Sequence, residues 1–310
     1  MPGIALPSPR GVYLGSIAAG FALWASVSEA RTTRAESSRD LLFLVFAAMA
    51  GAATTIGLTV LLPNQAASEL SLVVGAFCVG YLRRFGVLGT GIGSQIFIGQ
   101  LLAYGYGLTA ADLGMVVVAG AIAVMAVIVP RVLSGPTEYP AIAPQYTGDQ
   151  ATPVAAELRV GLQAAAAALA IVATNLGIGL EHSAWAVTAS TYTISGSLEG
   201  TSQRVMRRIV GTSIGVPLAL ACLPIATDAP LIIWAAAGLA MIVYAMALPE
   251  RYDVACGAYA FALVVTLAAT GGYTTGMLLS RAWETVLGGV FGFLAAHVLW
   301  PIRLGTGRTR

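Results

Sequence analysis

The sequence predicts an all-α protein, a polytopic bundle of about eleven membrane-spanning helices arranged as two related halves of five and six spans. Three observations predict it. Hydrophobic residues make up 57% of the 310 and charged residues only 10%, against about 25% charged in a soluble domain. Apolar runs near the roughly 20 residues that a helix needs to cross a hydrocarbon core recur along the whole chain. The basic residues, all sixteen of them arginine, fall mostly in every second gap between those runs. Lipid offers no partners to loose backbone amides, so the spans must be helical.

The first half, residues 1–132, holds runs at 11–28, 41–62, 66–83, 87–106 and 110–131. Residues 133–157 read LSGPTEYPAIAPQYTGDQATPVAAE, rich in proline and polar side chains. That composition builds no core and predicts a flexible linker between halves. The second half, residues 158–310, holds runs at 159–180, 184–200, 208–227, 229–248, 253–271 and 278–300.

Orientation follows from the gaps. Arg31, Arg34 and Arg39 follow the first run, Arg83 and Arg84 the third, and Arg131 and Arg159 bracket the gap after the fifth. Arg204, Arg207 and Arg208 follow the seventh, Arg251 the ninth, and Arg303, Arg308 and Arg310 the eleventh. Only Arg10 and Arg281 fall on the other side, a count of 14 against 2. The positive-inside rule then places the N-terminus outside and the linker and C-terminus in the cytoplasm. Residues 11–27 also have the outline of a signal peptide, but its cleavage would put Arg31, Arg34 and Arg39 outside and invert the pattern at its first loop.

Several function classes find no support. The net charge of +2 reflects membrane topology and offers nothing to nucleic acid. Cys78, Cys222 and Cys256 all fall inside spans, and an odd number of buried thiols is no disulfide framework. The two histidines, His182 and His297, are far apart in the chain, and there is no metal-ligand spacing, phosphate loop or nucleophile motif. No enzyme, cofactor or metal is therefore expected.

The halves look like repeats of one another. Leu82-Arg83-Arg84-Phe85-Gly86-Val87 resembles Pro249-Glu250-Arg251-Tyr252-Asp253-Val254, and Gly105-Tyr106-Gly107 resembles Gly272-Tyr273-Thr274. The offset is the same at both ends, since 251 minus 84 and 273 minus 106 are both 167. The extra span at 159–180 restores orientation and makes the repeat parallel, a common transporter plan.

The chemistry-bearing residues lie in the second half. Arg208, Gly211 and Gly215 share one helix face, with Thr212 beside them, and the glycines form a small-xxx-small pair that admits a close neighbour. Arg208 is expected at the cytoplasmic mouth, either as an anion contact or as an arginine snorkelling to lipid phosphates. Arg281, Glu284, Gly288 and Gly292 form a second stripe. Glu284 lies roughly 10 Å into its span at 1.5 Å per residue, and a charge so placed usually faces the bundle or a wet cavity. The bland alternative is a local Arg281–Glu284 pair. Trp185 suits an interfacial anchor, Pro217 a kink, and His297 either a proton carrier or a packed interfacial side chain. If the Arg208 and Arg281 faces meet, they build a narrow seam with a cation at each mouth.

Arg159 opening a helix, His182 before Trp185-Ala186-Val187-Thr188-Ala189, Arg208-x-x-Gly211-Thr212-x-x-Gly215, the stretch from Arg281 to Gly288, and Trp300-Pro301 together resemble the fusaric acid resistance protein-like (FUSC) family, which includes aromatic acid exporters. The resemblance covers about residues 158–302. In the first half Arg39 opens the corresponding span, but no Gly-Thr-x-x-Gly follows it. Larger members carry a sizeable soluble domain where this chain has only its linker.

The resemblance implies a multi-pass protein of the bacterial inner membrane that exports small organic acids, aromatic carboxylates among them, with proton coupling left open. Its partners would be small organic anions and membrane lipid, and homo-oligomerisation stays open. Trp185, Arg208, Gly211, Thr212, Gly215, Arg281, Glu284 and Gly288 are the expected pathway residues. A passive organic-anion channel is the nearest alternative; a structural membrane protein or a membrane-embedded enzyme is a more distant one.

Overall fold

A computed structural model describes residues 9–29, 34–62, 65–133, 154–180, 183–248, 250–269 and 275–299. All regular structure among them is helical. Arg31, His182, linker residues 134–153, Gly272-Tyr273-Thr274, Trp300-Pro301, Arg303, Arg308 and Arg310 lie outside the described residues. The chain divides into two compact units, residues 1–165 and 166–310.

The first unit contains α1 (Pro9–Ser28), α2 (Arg34–Leu61), α3 (Gln65–Tyr81), α4 (Gly86–Gly105) and α5 (Leu113–Leu133). Short 3-10 turns at Leu82–Phe85 and Ala110–Asp112 lead into α4 and α5. α6 (Val154–Ile178) runs across the boundary between units. It begins inside the expected linker, because Val154-Ala155-Ala156-Glu157 is a good helix start with an acid in its first turn. The second unit continues with α7 (Ser183–Thr193), α8 (Leu198–Ala221), α9 (Leu223–Asp228), α10 (Pro230–Ala247), α11 (Tyr252–Ala269) and α12 (Thr275–Val298).

Stretches Arg34–Leu61, Ala67–Gly105, Ala110–Leu133 and Val154–Ile178 are long and apolar enough to cross a membrane. The outward faces are greasy: Phe43, Phe46, Val117, Ile122 and Met125 in the first unit and Trp234, Leu239 and Met246 of α10 in the second are all exposed. A solvated surface rarely carries so much large apolar area, whereas a bilayer accepts it. The chain is an all-α helical membrane bundle.

Lipid supplies no hydrophobic drive between helices, so close packing of small residues must hold the bundle. In the first unit a Cβ on Gly51 would run into the Ile96 carbonyl, and one on Gly99 into the Ala48 carbonyl. α2 and α4 therefore touch backbone to backbone, with Phe21, Leu44, Ala48, Ala52 and Val116 in the core beside them. An ion pair between Arg131 and Glu29 joins the end of α5 to the end of α1. Tyr13 packs on Tyr106 at 5.0 Å between ring centres, joining the start of α1 to the end of α4. Both contacts have the parity that alternating spans require.

The two units repeat one packing plan. α2 packs on α4 as α8 packs on α11, and α1 on α5 as α7 on α12. Likewise α2 meets α5 as α8 meets α12, and α3 meets α4 as α10 meets α11. Matched helices keep close to the sequence offset: α4 begins at Gly86 and α11 at Tyr252, and α3 begins at Gln65 and α10 at Pro230. Two pairings are not repeated. α1 packs on α4, but α7 does not pack in the same way on α11. α2 packs on α3, but α8 and α10 stand apart and leave a groove of about 470 Å³ between them and α11.

The seventh and eighth runs depart from expectation. The 184–200 run is a helix of only 11 residues, α7, which stops at Thr193. Gly196 follows with φ +91°, and Ser197 caps α8 by accepting a hydrogen bond from the Gly200 amide at 3.1 Å. At 1.5 Å per residue α7 reaches roughly 16 Å, about half a hydrocarbon core. α8 then begins at Leu198, ten residues before the expected 208. Hydropathy set the expected edge; the polar stretch LEGTSQRVMR is nevertheless helical, because a serine cap and Glu199 favour its first turn.

Candidate functional site

α8 sets the site's first wall. Gly211 and Gly215 face α11, where added Cβ atoms would meet the Asp253 and Gly257 carbonyls. Gly257 faces back, its own Cβ position 3.0 Å from the Gly211 carbonyl oxygen. This three-glycine crossing draws α8 and α11 together and holds Arg208 beside α11. Arg208 is buried and its Nη1 donates to the Tyr252 hydroxyl at 3.1 Å. Its Nε has no hydrogen-bond partner among the described residues. Thr212, on the same helix, is also buried.

α12 sets the second wall. Gly288 packs on the Ala186 carbonyl and Ala189, and Gly292 on Ser190 and Thr193, all of α7. That close approach brings Trp185 under Arg281: the guanidinium carbon lies 4.9 Å from the Trp185 ring centre and 5.4 Å from that of Tyr259 on α11. Cation–π contacts of this length are attractive and strengthen when desolvated. Arg281 and Glu284 are both buried, Glu284 completely.

Arg208 does not open its helix as the sequence predicts. It lies ten residues into α8, roughly 15 Å along it, because the helix starts at Leu198. The two small-xxx-small pairs do not pack on each other either. The α8 pair meets α11 and the α12 pair meets α7, while α12 meets α8 through Gly289, beside Val205 and Ile209. The seam is therefore built by four helices.

Both arginines nevertheless reach α11: Arg208 bonds the Tyr252 hydroxyl and Arg281 lies over the Tyr259 ring. Tyr252, Cys256 and Tyr259 stand at i, i+4 and i+7, one face of α11. Tyr244 of α10 extends the aromatic wall, its ring 5.7 Å from that of Tyr259. Sequence reasoning missed Tyr244, Tyr252, Cys256, Tyr259 and Gly257. The aromatic stripe on α11 was the available signal, but at helical spacing it reads equally well as core.

The buried charges of this unit do not balance. Among its described residues the buried arginine, aspartate and glutamate side chains are Arg208, Arg281 and Glu284, two cations and one acid. Asp253 of α11 is paired with exposed Arg251 at 3.3 Å. Burying charge without compensation is costly. The groove between α8, α10 and α11 is apolar. Ile214, Leu218, Leu239 and Val243 line it, with Asp253 its only charged residue.

The remaining candidates are less central. Pro217 sits within α8, which continues unbroken to Ala221. His297 stacks on Phe293 at 4.4 Å between ring centres, the packed reading of that residue. Arg39, the first-half counterpart, is exposed and bonds Asp40 at 3.1 Å.

Residues 164–295 match the family model described as fusaric acid resistance protein-like, which covers every site residue above. The resemblance drawn from the second-half motifs is thus borne out over that segment, and the family suggests a membrane transport or efflux protein. No curated protein and no solved structure matches the chain.

Proposed function

From a second half that matches the fusaric acid resistance protein-like family, we propose that this protein exports small organic anions, aromatic carboxylates foremost, from the bacterial cytoplasm across the inner membrane. The observation that carries the reading is the buried excess of positive charge at Arg208 and Arg281, walled by Trp185, Tyr252 and Tyr259. Guanidinium groups bind carboxylates with paired donors, and the aromatic walls suit a flat apolar body. Gly211, Thr212, Gly215 and Gly288 hold the helices that present those groups. α7, only 11 residues long, supports the reading further, since short and interrupted helices commonly line transport sites.

Glu284 is the proposed proton-coupling group. Deprotonated, it partly neutralises Arg281; protonated, it leaves both arginines to the anion. Proton binding and anion binding therefore favour one another, and a proton that leaves with the anion makes the step electroneutral. An anion that leaves without a proton is driven outward by a membrane potential negative inside, by about 2.3 kcal/mol per charge per 100 mV. We place the N-terminus outside and the C-terminus inside, on the alternation of arginines.

The test is uptake of a labelled aromatic-acid panel into inverted vesicles, with and without a proton gradient. Saturable uptake of at least one carboxylate that depends on Arg281 supports the reading. Currents that follow voltage alone, without saturation, would replace it with an anion channel. Uptake no different from vesicles lacking the protein would remove it.

A further inference from the structure

The second unit carries an amphiphilic groove that the anion site does not use. α8 and α11 run parallel, since Gly211 meets the Asp253 carbonyl and Gly215 the Gly257 carbonyl. Beside that crossing α10 packs on α11 but stands apart from α8, and about 470 Å³ stays open between the three helices. Ile214 and Leu218 of α8, Leu239 and Val243 of α10 and Phe261 of α11 line it. In the first unit α2 and α3 pack on each other instead.

One end of the groove is basic. Arg207 stands one turn before Gly211, and Ile214 and Leu218 follow it at i+7 and i+11, so all four share the groove-lining stripe of α8. Arg251 is tied to the other wall. Its Nη2 bonds Asp253, which lines the groove, at 3.3 Å, and its side chain stays 67% exposed. Both arginines lie at the same end, because Gly211 meets Asp253. Arg207 is roughly 6 Å back along α8 from that contact, and Arg251 two residues back along the chain. Arg204, one turn further out on α8, is also exposed. Asp253 offsets only one of these three cations. Arg208 takes no part, being buried on Tyr252.

From Gly211 to Leu218 the groove runs roughly 10 Å, within one leaflet of a hydrocarbon core about 30 Å thick. A groove this apolar does not hold water, which needs two to four polar partners. Left empty, its walls would forfeit their dispersion contacts. In a bilayer the neighbour at hand is an acyl chain, and basic pockets between transmembrane helices hold anionic head groups. A second copy docked by the same face, about an axis along the membrane normal, would set its own arginines against these. We propose that the groove binds an anionic phospholipid of the bilayer, with one acyl chain on Ile214, Leu218, Leu239 and Phe261 and the phosphate on Arg207 and Arg251. On the orientation proposed above, that lipid belongs to the inner leaflet.

The experiment is native mass spectrometry of the purified full chain, titrated in detergent with phosphatidylglycerol or with phosphatidylcholine of the same acyl chains. One phosphatidylglycerol should be retained at concentrations where phosphatidylcholine is not. Arg207→Gln combined with Arg251→Gln should raise its dissociation constant roughly 10-fold or more. Leu218→Trp, which fills the groove and keeps every charge, should raise it as well. Arg84→Gln, in the 3-10 turn of the first unit, should bind as wild type. Phosphatidylglycerol should also raise the thermal midpoint of the wild type more than phosphatidylcholine does, a difference that the double arginine variant should lose. Equal retention of the two lipids by the wild type would overturn the proposal, as would wild-type retention by the double variant or by Leu218→Trp. A Leu218→Trp protein that loses self-association but keeps its lipid would overturn it in favour of an interface between copies. No transport is measured, so the result is independent of the export reading.

Discussion

Replacing Arg208 by alanine should weaken substrate binding far more than it weakens the fold. The side chain is 9% exposed, bonds Tyr252 through one Nη, and leaves its Nε without a partner among the described residues. That free donor is what a carboxylate would take. A hydrogen bond to a charged group contributes about 1.5–3 kcal/mol, and each 1.4 kcal/mol is about tenfold. KM for an aromatic carboxylate should therefore rise roughly 10- to 100-fold. The fold loses one bond to Tyr252, about 1 kcal/mol, and is relieved of a buried charge. Arg208→Lys should recover part of the loss, because lysine restores the charge but not the planar pair of donors. Vesicle uptake over a concentration range measures this, with membrane protein level as control. An Arg208→Ala protein with wild-type KM and wild-type abundance would refute the placement of the anion.

Three further outcomes follow from the same geometry. KM of the wild type should fall as pH is lowered, because protonating Glu284 removes the acid beside Arg281; Glu284→Gln should make KM pH-independent, and an unchanged pH profile would leave Glu284 as a structural partner only. Gly211→Ala should lower the thermal midpoint in detergent, since its Cβ meets the Asp253 carbonyl and such overpacking costs about 1–3 kcal/mol; Gly238→Ala, which meets nothing, is the matched control, and equal midpoints would mean that the α8–α11 crossing is looser than described. A reporter fused after Arg310 should be active only as a cytoplasmic fusion, with Arg310→Ala neutral for transport; extracellular activity of the fusion would invert the topology.

Much of the bundle is legible in the sequence because bilayer thickness and backbone hydrogen bonding leave few choices for a chain this apolar. The repeat is legible too, since a shared offset at two places carries through to the packing of α2 on α4 and α8 on α11. Hydropathy fails where polar residues are helical: it joined α7 to Leu198, hid the break at Gly196, and began the next helix at Arg208. Helix faces were read correctly one helix at a time. Spacing within a helix cannot say which neighbour a face meets; whether the Gly211 and Gly288 faces share a seam was open in the sequence, and they pack on α11 and α7. Tyr252 and Tyr259 escaped notice for the same reason, because an aromatic stripe becomes a site wall only when another helix brings an arginine to it.

Trp185 lies directly beneath the Arg281 guanidinium, so its fluorescence should report an anion that binds there. Purified wild-type protein titrated with an aromatic carboxylate should give a saturable change in tryptophan emission. The difference should vanish in Trp185→Phe, shift to much higher concentration in Arg281→Met, and be absent with the corresponding neutral alcohol. An undiminished change in Trp185→Phe, or equal binding of the alcohol, would contradict an anion site between Arg208 and Arg281.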